Sequence, residues 1–167
     1  SVIIYTIFNE GWGQFESDKL YDMAKQIDRT RLIDSTSGWF PQQRSDFDSR
    51  HQYFKNRKIV PSSEKPILIS ECGGYGLRKE NHLYFDEEDK IYQYGGCKDE
   101  KELTDKIMKL YEEMILPGIE VGVCGCIYTQ LSDVEGEVNG LYTYDRALCK
   151  VDAQRLKELA CRIKKTL

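Results

Sequence analysis

No apolar run in this chain approaches the ~18 residues that a membrane-spanning helix requires, so no segment reads as transmembrane. Charge of one sign is lacking too. The 24 Lys and Arg against 28 Asp and Glu give a net charge of −4, with neither the basic footprint of a nucleic-acid binder nor a polybasic membrane patch. No internal repeat or low-complexity tract appears, and no segment of the given sequence reads as a secretory leader. The chain opens without Met, one residue before an apolar run, and is therefore expected to be a piece of a longer polypeptide. Metal-binding patterns are also missing. Cys124 and Cys126 alternate on an apolar run without a second pair and read as buried thiols, and the acidic stretch DVEGEVNG lacks the ligand order of an EF-hand. The six cysteines (Cys72, Cys97, Cys124, Cys126, Cys149, Cys161) read as reduced, because disulfide frameworks belong to short secreted scaffolds. That reading leans toward the cytoplasm and leaves the compartment open. No cofactor is implied.

What is present fits one soluble globular domain, or part of one: 167 residues, 40% hydrophobic and 31% charged. SVIIYTIF is a nearly continuous β-branched and aromatic run, the pattern of a parallel strand covered on both faces. ESDKLYDMAKQIDRT spaces Leu20, Met23, Ala24 and Ile27 as a helix face, with Ser17 as N-cap. RLIDST, SRHQYF and KPILISE read as three more strands, the last stopped by Gly73 and Gly74. Between Cys72 and Lys98 lies a long aromatic segment with glycine at both ends, the kind of loop that carries function, with a small hairpin expected around 86–89. KELTDKIMKLYEEMILPG predicts a long helix ending at Pro117 and Gly118. VGVCGCIYTQ predicts a fifth strand, and VDAQRLKELACRIKKTL a closing helix with Leu156, Leu159, Ala160 and Ile163 inward.

Strands alternating with helices predict βαβ units and a parallel sheet, in which chemistry gathers where strands end. Two carboxylates stand at such ends, Glu10 after the first strand and Glu71 after the fourth, each followed within two residues by glycine. A pair of carboxylates on one rim is the minimum equipment for glycoside hydrolysis. Taken singly, either could be ordinary surface charge. Cys72 with His51 could mimic a cysteine–histidine nucleophile, but nothing supplies its orienting partner. His82, in a polar loop, reads as solvated.

FNEGWGQF resembles the Asn-Glu acid/base motif of glycoside hydrolase family 2, the group of β-galactosidases, β-glucuronidases and β-mannosidases. KPILISECGGYG resembles that family's nucleophile strand, and YTQLSDVEGEVNGLYTYDR the segment after its last barrel strand. The resemblance implies an α/β fold, the C-terminal half of a (β/α)8 TIM barrel, with strands four to eight and their helices filling 1–167. It implies a retaining β-glycosidase, β-galactosidase-like, with Glu10 as general acid/base and Glu71 as nucleophile. Asn9 would hold a sugar hydroxyl. DSRHQYF resembles the sixth-strand segment, where a Tyr orients the nucleophile, so Tyr53 is assigned that role. His51 stands where some members carry Asn and would face a sugar hydroxyl or Glu71. Trp39 is a candidate for sugar contact and Trp12 for packing. Gln130 and Asp133 are candidate substrate contacts in the loop after the last strand.

The partners so implied are a carbohydrate substrate and the N-terminal part of the same polypeptide, with no nucleic acid and no membrane. Lacking the first barrel strands, the 167-residue chain alone is expected to turn over negligibly and to self-associate through open strand edges. A non-catalytic carbohydrate-binding or structural module, and an inverting hydrolase using the same carboxylates, are the alternatives.

Overall fold

The β-branched run near the start forms strand β1 (Ile4–Asn9), and helix α1 (Ser17–Ile27) carries the chain back to strand β2 (Leu32–Ser37), which pairs with β1 in parallel. The computed structural model describes residues 1–53, 55–85 and 90–166. The hairpin expected around 86–89, and Phe54 of SRHQYF, lie outside the described residues. After β2 come β3 (Asp48–Gln52), β4 (Ile67–Gly73) and a two-residue strand β5 (Tyr75–Gly76) that pairs with β6 (Gly95–Gly96). Helix α2 (Glu100–Leu110) runs through a π-helical turn at Tyr111–Ile115 into α3 (Leu116–Ile119). Strand β7 (Val123–Thr129) and helix α4 (Ala153–Thr166) follow.

The half-barrel expected from the family resemblance is overturned. The strands form three separate small sheets, β1-β2, β3-β4-β7 and β5-β6, rather than one continuous curved sheet. The break falls between β2 and β3, and its cause is local. The free edge of β2 is occupied by the segment leading into β3. Asp46 N–H donates to the Ile33 carbonyl at 2.9 Å, and Ile33 N–H donates to the Asp46 carboxylate at 2.7 Å. The N–H and carbonyl of Ile33, engaged in this way, are not free for a ladder with β3. What crosses from β2 to the second sheet is a set of side-chain hydroxyl contacts, described below.

Two helices depart from their expected ends. Ser17 is the first helical residue of α1, buried, and the N-cap position falls to Glu16, in the left-handed region at φ 40°. Met23 and Ile27 are exposed, because α1 covers only a two-stranded sheet. For the same reason β1 is not covered on both faces: Tyr5 and Thr6 are exposed. The long helix does not stop at Pro117. The wider π turn ahead of the proline lets the chain continue to Ile119, with Pro117 in the first turn of α3, where a missing amide costs least. Its N-terminus is capped by Asp99, which accepts from Glu102 N–H at 2.7 Å.

The apolar core belongs to the second sheet. Ile67, Ile69 and Cys72 of β4 pack with Leu110, Met114 and Ile115 beneath them, and Leu77, Leu103 and Ile107 form a smaller cluster alongside. Each such side chain, fully buried, contributes about 1.5–3 kcal/mol. Of the four apolar residues expected inward on α4, Leu159 is buried, Leu156 and Ile163 are half-buried, and Ala160 is exposed. All six cysteines are free thiols. Cys124 is exposed and Cys126 half-buried, so the buried pair expected on β7 is not formed.

Candidate functional site

The parallel pairing of β1 with β2 sets Asn9 opposite Ser37, and the pairing of β3 with β4 sets His51 opposite Glu71. The β3-β4 register slips by one residue at this point: Arg50 pairs with Ile69 and His51 with Glu71, leaving Ser70 without a strand partner. Bulges of this kind re-aim side chains. Glu10, directly after β1, sits in the left-handed region at φ 53°, which costs a non-glycine residue about 1–2 kcal/mol. Its N–H donates to the Ser37 carbonyl at 2.9 Å, so the end of β2 holds it there.

The result is a cluster around His51, whose side chain is fully buried. Nδ1 lies 2.7 Å from Glu10 Oε1 and 3.3 Å from Glu71 Oε2. The Tyr53 hydroxyl donates to Glu71 Oε2 and lies 3.1 Å from Thr129 Oγ1. Burial, reinforced by the Glu71 carboxylate, pushes the Tyr53 phenol well above its ordinary value, so it is held as a donor. On the other side of the ring, Ser37 Oγ lies 2.8 Å from Nε2. Gly38 is required next to it. At φ 94°, a Cβ there would stand 2.8 Å from His51 Nδ1.

Sequence reasoning named Glu10, Glu71, His51 and Tyr53, and the fold brings these four side chains together. Trp39 stands edge-on to the His51 ring, with centroids 6.1 Å apart, and is half exposed. Asn9 is exposed at the rim, where its carbonyl accepts from Trp12 N–H at 3.0 Å. Trp12 is not packed as expected. It is 81% exposed and lines, with Glu10, Gly11, Gln14, Phe40 and Gln42, an open cleft of about 460 Å³. Gly11 allows the close passage of Phe40, since a Cβ at its φ of 80° would lie 2.7 Å from that ring.

Two expected substrate contacts are used elsewhere. Gln130 donates to Glu137 at 2.8 Å and Asn139 at 2.9 Å, shaping the loop after β7. Asp133 is buried against Lys150 Nζ at 2.6 Å, and Lys150 also donates to the Leu77 and Val138 carbonyls. Desolvation of this pair pushes the Asp133 carboxyl up and the Lys150 ammonium down. His82, expected to be solvated, lies 2.7 Å from Asp145. Cys72 is buried, which pushes its thiol far up and leaves it inert as a nucleophile.

Sequence reasoning missed Tyr94, which stacks on Tyr53 with centroids 4.1 Å apart and planes 9° from parallel. The signal that could have found it was its place in the long aromatic loop. It also missed Ser37, Ser49, Ser70 and Asp34, for which no sequence signal exists.

Glu10, His51 and Glu71 each offer a ligand atom within 4.8 Å of the others, the one such group among the described residues. The 2.7 Å approach of Nδ1 to Glu10 places one hydrogen between them, carried by the ring nitrogen or by the Glu10 carboxyl. Without an ion the group is held by hydrogen bonds, with the ring between the two carboxyl groups. No family model matches the chain, and no curated protein does.

Proposed function

We propose that this site is that of a retaining β-glycosidase, with Glu10 as general acid/base and Glu71 as nucleophile. The observation that carries the reading is the separation of the two carboxylates: one oxygen of each lies within 4.8 Å of the other, with Tyr53 donating to Glu71. Retaining pairs stand about 5–5.5 Å apart, whereas inverting pairs leave about 6.5–9.5 Å for a water. The short separation favours the retaining reading over the inverting one. The cleft beside Glu10, with the exposed faces of Trp12 and Phe40, offers aromatic surface of the kind that receives sugar C–H groups. The likeness of FNEGWGQF and KPILISECGGYG to the two catalytic motifs of glycoside hydrolase family 2 supports the same assignment.

In the first step a Glu71 oxygen attacks the anomeric carbon, the bond to the aglycone oxygen breaks, and Glu10 gives that oxygen its proton. In the second, Glu10 takes a proton from water, the water oxygen bonds to the anomeric carbon, and Glu71 leaves with its charge restored. Tyr53 orients Glu71 by donating to it. Galactosides are the favoured substrates among the β-glycosides that this family resemblance suggests.

The test is covalent trapping. Incubation of the full-length polypeptide with a 2-deoxy-2-fluoro-β-galactosyl fluoride is expected to add one fluorosugar to the peptide carrying Glu71, read by mass spectrometry after digestion. Glu71→Gln is expected to abolish the adduct. Labelling that persists in that variant, or that falls on another residue, overturns the assignment.

A further inference from the structure

Behind His51, away from the cleft, the hydroxyls of Ser37, Ser70 and Ser49 form a continuous line that ends on Asp34. The successive contacts are His51 Nε2 to Ser37 Oγ at 2.8 Å, Ser37 to Ser70 at 3.0 Å, Ser70 to Ser49 at 2.7 Å, and Ser49 to Asp34 Oδ2 at 2.6 Å. All five residues are buried, Asp34 completely. They come from three strands: Asp34 and Ser37 from β2, Ser49 and His51 from β3, Ser70 from the bulge in β4.

Counting hydrogens decides what this line can do. Four contacts need four hydrogens, and three hydroxyls supply only three. The fourth must come from an end, either from Nε2 of His51 or from a protonated Asp34. With neither, one O···O or N···O contact at hydrogen-bond distance is left without a hydrogen, a buried unsatisfied pair. The longer 3.4 Å approach of Ser70 to the Arg50 carbonyl takes a hydrogen out of the line and so only raises the number required.

We propose that Asp34 and His51 share one proton through the three serines, so that a carboxylate remote from the cleft sets the charge of the ring lying between Glu10 and Glu71. The shift from one end to the other is a concerted hop. Nε2–H passes its proton to Ser37 Oγ, Ser37 passes its own to Ser70, Ser70 to Ser49, and Ser49 to Asp34 Oδ2. One N–H bond is lost, one carboxyl O–H is gained, and each hydroxyl ends with one hydrogen. With the hydrogen of the Nδ1–Glu10 contact on the ring, an imidazolium facing a carboxylate becomes a neutral ring facing a carboxylic acid.

The surroundings of both ends allow either state. Asp34 Oδ1 has no hydrogen-bond partner among the described residues, and burial pushes the carboxyl up, with Ser49, His51 and the Thr36 backbone pulling less strongly the other way. The groups facing His51 are Glu10 at the end of β1, Glu71 on β4, Ser37 on β2, the Trp39 ring and the Tyr53 ring on its own side. As a device in catalysis this rests on the glycosidase reading: Asp34 is then a positioning residue that acts on Glu10 through the His51 ring. As a hydrogen-bonded system it stands without that reading.

The experiment is nitrogen NMR of histidine-labelled protein at neutral pH, following the Nε2 shift of His51, which reports whether that nitrogen carries hydrogen. In the wild type it is expected to lie between the protonated and unprotonated limits. Asp34→Asn, which cannot accept the proton or balance an imidazolium, is expected to move it to the unprotonated limit. Ser70→Ala splits the line into two halves that need no extra hydrogen, and is expected to do the same while Asp34 keeps its carboxylate. A Ser70→Ala shift equal to wild type overturns the proposal, whatever Asp34→Asn does, since the coupling would then act through space. A wild-type signal already at either limit overturns it as well. Ser49→Ala cuts the line one link further on and serves if Ser70→Ala does not fold, with the amide spectrum as the check. Because no sugar enters this measurement, a failure of fluorosugar labelling at Glu71 leaves its outcome intact.

Discussion

Tyr53 shows how much of the site hangs on single atoms. Its hydroxyl is the one protein donor, besides the His51 ring, that the described contacts place on Glu71, and it also meets Thr129. Tyr53→Phe keeps the ring stacked on Tyr94 and removes only that oxygen, so packing is nearly unchanged while Glu71 loses its orientation. The rate of fluorosugar labelling is expected to fall on the order of 10²-fold, in the range found when one preorganised donor is deleted. A melting temperature close to wild type, measured on the same sample, separates this from unfolding. Glu10 and Glu71 could be placed at strand ends from the sequence, because an apolar run followed by glycine marks such an end, whereas His51 and Tyr53 were named through the family resemblance. Serine and aspartate have many roles, so Asp34, Ser37, Ser49 and Ser70 were silent. A polar residue in a loop after a strand is equally suited to substrate or to its own loop, and here Gln130 is hydrogen-bonded to Glu137 and Asn139 and Asp133 to Lys150.

The elements were legible wherever periodicity was strong. β2, β4, β7, α2 and α4 stand where hydrophobic spacing put them, and errors gathered at ends, where caps and turns compete. The loop pairings were not legible, and one of them is open to a pH test. Asp145 closes the turn at 143–147 by accepting from Thr143 Oγ1 at 2.6 Å and Ala147 N–H at 3.0 Å, and it ties that turn to His82 at 2.7 Å. These partners, the Thr143 hydroxyl foremost, lower the carboxyl from its ordinary 3.8 to about 2. A carboxylate held down in the folded state contributes stability that is complete above its unfolded value and is lost as pH falls through the folded one. The contribution of Asp145 is therefore intact above pH 3.8 and disappears toward pH 2. Urea midpoints of wild type and Asp145→Asn are expected to differ near neutrality and to converge over that window. A gap that stays constant down to about pH 2 would contradict the assignment of the clasp to the ionised carboxylate.

The whole molecule has two parts of unequal strength. Among the described residues most of the buried apolar side chains lie on β4, β7, α2 and the π turn after it, with others at Phe47, Tyr53, Ile59, Leu77, Val138 and Leu159, while β1, α1 and β2 contribute Ile33 and a polar seam. The first unit is held to the second largely by hydrogen bonds of Ser37, Asp34 and Glu10 to Ser70, Ser49 and His51. A seam of net hydrogen bonds at about 0.5–1.5 kcal/mol each is weaker than an apolar core. Hydrogen exchange in mild urea is therefore expected to expose residues 4–37 before 67–73 and 103–115, and simultaneous exposure of all three would show a single cooperative unit. Pattern alone was enough for the α/β class, the parallel βαβ units and the two strand-end carboxylates, because hydrophobic period and glycine placement are local properties of the chain. It was not enough for the sheet count or the site. Whether β2 joins β3 in a ladder depends on Asp46 reaching the edge of β2 first. Whether His51 meets Glu10 depends on a one-residue slip at Ser70 and a left-handed Glu10. Contacts between residues 41 apart are set by how edges are satisfied in three dimensions, and no spacing in the chain encodes that.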